Sequence, residues 1–95
     1  QLLSQRARLV YLAVLFAVVS SFRDRPLSRQ LVAFGEIGLA GEIRPVPGGQ
    51  ERLREAAKHG FTRAIVPAGN APKQAPAGME VVGVRHLAEA LAALD

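Results

Sequence analysis

From residue 31 to the end, short apolar runs of strand length alternate with segments of helical spacing. That alternation is the strongest constraint in the chain. A strand buries a face and a helix a stripe, and a layered α/β or α+β packing satisfies both. Leu31-Val32-Ala33-Phe34 reads as a strand, followed by Gly35-Glu36-Ile37-Gly38-Leu39-Ala40-Gly41-Glu42-Ile43, in which Gly-Glu-Ile occurs twice. Two short β segments joined by a turn through Gly38 and Gly41 account for it. The glycine spacing matches neither the dinucleotide fingerprint nor a phosphate loop ending in Gly-Lys-Ser/Thr.

Pro45 and Pro47 close the hairpin, and Gly48-Gly49 open a helix over 50–59. Leu53, Ala56 and Ala57 line one face of it, and Glu51–Arg54 and Glu55–Lys58 form opposite-charge pairs worth about 0.2–0.5 kcal/mol each. Gly60 stands where a left-handed C-terminal cap belongs. A strand over 61–67, a Gly/Pro/Ala-rich loop over 68–78 and a strand over 79–84 follow. The last helix, over 86–94, turns Leu87, Ala90, Leu91 and Leu94 inward.

Ahead of this pattern, residues 9–19 are apolar but for the Tyr11 hydroxyl. A membrane span needs ~20 such residues, about twice this run. Basic residues before it and Ser20-Ser21 after it match a signal peptide. A buried core helix is the preferred reading, since the run continues into a patterned domain. Arg23-Asp24-Arg25-Pro26 ends it, because a residue before proline is pushed out of the α region.

Ninety-five residues make at most one domain, and 49% hydrophobic with 21% charged residues excludes wholesale disorder. With no cysteine, a disulfide framework and a thiolate metal site are excluded. The net charge of +4 is concentrated: residues 1–30 carry five arginines against Asp24 alone. Such a basic region suits phosphate or another anionic surface.

Catalysis finds little support. His59 and His86 are the only histidines, both at helix ends. Glu36 with Glu42, or Glu51 with Glu55, would have to supply paired-carboxylate chemistry, and a solvated face explains both pairs. A Ser–Lys dyad would need Ser4, Ser20, Ser21 or Ser28 beside a desolvated Lys58 or Lys73. Neither lysine sits in a segment that reads as buried.

The strings Val18-Val19-Ser20-Ser21-Phe22-Arg23-Asp24-Arg25-Pro26-Leu27, Val32 through Val46, Glu51 through Phe61 and Ala64-Ile65-Val66-Pro67 together carry a resemblance. They resemble the C-terminal, Lon-protease-like domain of the RadA (Sms) family of bacterial DNA repair proteins. The resemblance covers residues 13–95. Residues 1–12 read as a divergent or truncated start. It implies an α+β, layered fold of the Lon proteolytic-domain type, related to domain 2 of ribosomal protein S5, here lacking its N-terminal part. Laid over the glycine landmarks, the serine and lysine positions of true Lon proteases fall on Leu9 and Glu51. Neither supports that chemistry, in keeping with a family that is not proteolytic.

The resemblance further implies a scaffold that builds a hexameric ring and contacts DNA without sequence preference, in a cytoplasmic bacterial helicase acting in recombinational repair and branch migration. ATP, Mg, Zn and the recombinase RecA belong to the full-length family protein. No cofactor and no membrane is expected for these residues. Arg23, Arg25, Arg44, Lys58 and Arg63 are the expected DNA contacts, since a guanidinium fork grips phosphate oxygens in pairs. Arg23-Asp24-Arg25 reads equally well as a local ion-pair cluster or a subunit contact. The alternatives are a Ser–Lys peptidase using Ser20 or Ser21 with Lys58, and a purely structural oligomerisation domain.

Overall fold

The structure is a computed structural model that describes residues 10–11 and 30–94. In chain order its elements are β1 (Val10–Tyr11), β2 (Leu31–Ala33), β3 (Glu36–Ile37), β4 (Ile43–Arg44) and α1 (Gly49–Lys58). β5 (Arg63–Pro67), a 3-10 turn (Ala68–Asn70), β6 (Glu80–Val84) and α2 (Leu87–Leu94) complete them.

Two three-stranded sheets form among the described residues. In one, β2, β5 and β6 lie parallel in that order, with Leu31 opposite Arg63 and Arg63 opposite Glu80. The other is antiparallel, with β3 between β1 and β4. β5 is central, and Ala64, Ile65 and Val66 are fully buried. A parallel strand covered on both faces loses its polar alternation, and this one has none.

Alternate side chains of the parallel sheet feed two cores. Ile65 and Val84 pack with Ile37 and Ile43 of the hairpin and Ala90 of α2, flanked by Leu87, Leu91 and Leu94. On the opposite face Ala64 and Val66 meet Leu53 and Ala56 of α1, with Phe34, Val46 and Met79. The sheet is thus the middle of three layers, as the alternation of strands and helices requires. The mixed α and β architecture expected from the sequence is present.

Local details follow from particular residues. Gly60 adopts φ 89°, and its amide bonds the Ala57 carbonyl at 3.2 Å as α1 ends. The hairpin turn closes through the Gly38 amide on the Glu42 carbonyl at 2.9 Å. Of the two ion pairs expected along α1, Glu55–Lys58 forms, at 3.9 Å. One expectation needs correction. Val10–Tyr11 do not begin a helix over 9–19; they pair with Ile37 and Glu36 as a strand. A continuous apolar run has no period to separate helix from strand, and here pairing with the hairpin decides. Residues 12–19 lie outside the described residues.

Candidate nucleic-acid interface

The hairpin must leave β4 and turn into α1, and Asn70 fixes that path. Its Oδ1 accepts from the Val46 amide at 2.8 Å, and its Nδ2 donates to the Val46 carbonyl at 2.9 Å. One side chain therefore serves both backbone groups of Val46, as a neighbouring strand would. Gly49 makes room for it: a Cβ there would stand 2.5 Å from Asn70 Nδ2. Gly48, at φ 70°, leads into α1, and no side chain caps that end.

Among the described residues, three shallow grooves border α1. One, of about 350 Å³, is lined by Gln50, Leu53, Arg54, Pro72, Gln74 and Pro76. The second, about 330 Å³, lies over the helix start between Gly48, Glu51, Arg54 and Asn70. The third, about 480 Å³, includes Glu51, Arg52 and Glu55.

The expected DNA contacts separate in this frame. Arg63 begins β5, and its Nε donates to Glu80 Oε1 at 2.9 Å across the parallel pair. Lys58 ends α1 with its ammonium 3.9 Å from Glu55, which also lies 3.8 Å from His59 Nε2. Arg44 ends β4, 3.7 Å from Glu42. Lys58 and Arg63 lie where α1 ends and β5 begins, whereas Arg44 sits at the other end of the layer beside the Val46–Asn70 clamp. Each of the three cations is engaged by a carboxylate. Arg23 and Arg25 lie outside the described residues.

Among the described residues, Arg52, Arg54, Lys73 and Arg85 form no ion pair. Arg52 lies 5.8 Å from the centre of the Phe34 ring instead. Arg54 was hidden in the sequence by its spacing from Glu51, which suggests an intrahelical pair. Asn70 was hidden in the Gly/Pro/Ala-rich loop over 68–78. The signal for it was an amide side chain just after the central strand, where a returning backbone needs partners.

Catalytic geometry is not assembled by the described residues. Glu51 occupies the first turn of α1, and Leu9, Ser20 and Ser21 lie outside the described residues. Lys58 is 73% exposed and faces Glu55, whereas nucleophile activation calls for a desolvated, uncompensated amine. Among the described residues, no group of three or more His, Asp or Glu side chains converges on a metal-sized site. No helix among them is long and apolar enough to cross a membrane.

A three-layer domain with a glycine-turned hairpin and an open helix start defines a class of domain, and residues 7–70 match the family model described as subunit ChlI of Mg-chelatase. The chain belongs to that domain family. The chain is also similar to DNA repair proteins named RadA. The chain is 68% identical over 84 residues to the RadA of Escherichia coli (strain K12), covering 88% of this chain and 18% of that protein. It is 65% identical over 83 residues to the RadA of Pseudomonas aeruginosa, covering 87% and 18%. To the RadA of Bacillus subtilis it is 47% identical over 81 residues, covering 84% and 18%. The chain therefore spans about a fifth of the length of these relatives, and the resemblance read from its own strings is one to RadA proteins.

Proposed function

We propose that this chain is the non-proteolytic, Lon-protease-like scaffold domain of a RadA-type DNA repair protein of the bacterial cytoplasm. In this reading it supports a ring of copies and holds DNA without sequence preference. The ring is the ATP-driven machine that moves branches during recombination, with RecA as a partner of the whole. The observation that carries the reading is identity of 65–69% to RadA proteins along most of the chain. The fold class and the cations exposed beside α1 agree with it. The family description of a chelatase subunit does not extend to chemistry here, because the residues of this chain do not fit the cofactors. Zinc would lack cysteine ligands, and ATP with Mg would lack a Gly-Lys-Ser/Thr loop.

The test is binding of labelled DNA across a salt series. Phosphate contacts release counterions, so affinity should fall steeply and linearly in log–log form as salt rises, alike for unrelated sequences. Arg23→Ala with Arg25→Ala should flatten that slope by about 0.9 for each lost contact on duplex DNA. Binding that ignores salt, or that follows one sequence, would sink the proposal. Measuring mass in solution with and without DNA separates a DNA-binding ring from a scaffold that only assembles.

A further inference from the structure

The three grooves beside α1 differ in one respect that matters for an anion. The second contains Glu51, and the third contains Glu51 and Glu55. A phosphate entering either would meet a carboxylate. The first, between α1 and the segment 71–78, is lined by one guanidinium, two amides, two prolines and Leu53, with no carboxylate among them. Its cation is Arg54, which has no ion-pair partner among the described residues.

We infer that this groove seats a phosphodiester of a nucleic-acid strand, with Arg54 as the phosphate ligand and Gln50 and Gln74 as flanking donors. The inference rests on the DNA-binding reading and deepens it by naming a site that the sequence-nominated cations do not include. Arg54 stands four residues after Gln50, so the two share a face of α1. Both border the first and second grooves, forming the ridge between them. A backbone crossing that ridge meets a guanidinium whose planar fork matches two phosphate oxygens. The Gln50 and Gln74 amides add N–H donors that suit phosphate or sugar oxygens. Pro72 and Pro76 offer an apolar wall for the sugar, and exposed Lys73 between Pro72 and Gln74 adds charge within a Debye length. At about 350 Å³ the groove is at the small end of ligand sites, the scale of one nucleotide unit.

Arg44, Lys58 and Arg63 contribute less in this arrangement. Each already faces Glu42, Glu55 or Glu80, and a phosphate must displace or repel that carboxylate.

The deciding experiment compares variants of the full chain by fluorescence anisotropy, using a labelled oligo-dT and a duplex of equal length over a salt series. Arg54→Ala should weaken binding about threefold to tenfold and lower the salt slope by about 0.7 on the single strand or about 0.9 on the duplex. Arg54→Lys should restore the slope but only part of the affinity, because it keeps the charge and loses the fork. Gln74→Glu, which puts a carboxylate into a groove whose lining has none, should weaken binding comparably. If Arg54→Ala and Gln74→Glu leave affinity and slope unchanged while the parent chain still binds DNA, the groove assignment falls and the wider reading stands. If the parent chain shows no salt-dependent DNA binding, both fall.

Discussion

α1 and α2 lean on opposite faces of one parallel sheet, yet their N-termini are finished differently. At α2 every amide of the first turn is taken. The Leu87 amide bonds the Gly41 carbonyl at 2.8 Å, and Ala88 donates to His86 Nδ1 at 3.2 Å. The Glu89 and Ala90 amides both reach the His86 carbonyl, and Glu89 Oε1 accepts from the Arg85 amide at 3.1 Å. Because Nδ1 accepts, the ring proton sits on Nε2, 3.2 Å from the Ala40 carbonyl. At α1 no side chain caps the start, and shallow grooves border it. The α2 start is used to hold the hairpin, whereas the α1 start carries no side-chain cap.

The largest effect belongs to Leu53→Ala, since Leu53 is 1% exposed beneath α1, and denaturant unfolding should show a loss of about 2–5 kcal/mol. Leu91→Ala beneath α2 should cost about 1–2 kcal/mol, because that side chain is only half-buried. Equal losses would mean the two faces are equally anchored.

Asn70→Ala should come next, at about 1–3 kcal/mol in the same assay, because both backbone groups of Val46 lose their partner. Asn70→Asp keeps the acceptor but turns a carboxylate oxygen on the Val46 carbonyl, so it should cost at least as much as the alanine. His86→Ala should cost about 1 kcal/mol through loss of the α2 cap, seen as faster hydrogen exchange at the Ala88 amide. Unchanged exchange there would show that the Gly41 and His86 carbonyls hold α2 unaided. Smallest is Arg63→Ala. Its pair with Glu80 is tight at 2.9 Å, but Glu80 is 68% exposed, which limits the loss to about 1 kcal/mol or less, further reduced by salt.

How much of this was legible in the sequence depended on how far each cause reached along the chain. α1, α2 and the hairpin were readable because spacing and glycine placement act over a few residues. Gly60 announced the end of α1 for the same reason. The strand character of Val10–Tyr11 was not readable, because it comes from pairing with Glu36 and Ile37. The site suffered most from long-range partners. Glu80 meets Arg63 from 17 positions away, and Asn70 meets Val46 from 24, so neither shows in a local pattern. Arg54 shows the converse: a local pattern pointed to a pair that the structure does not make.

The parallel ladder also bears on how the chain finds this shape. The Gln30 and Thr62 side chains meet across 32 positions beside the β2–β5 pair, while Arg63 and Glu80 close only 17 between β5 and β6. Doubling a loop adds about 0.6 kcal/mol of closure entropy, so the nearer partner gains little head start. What each pairing buries sets the order instead, and both need the fully buried middle strand. Ala64, Ile65 and Val66 are therefore the expected nucleus, where small truncations slow folding rather than hasten unfolding.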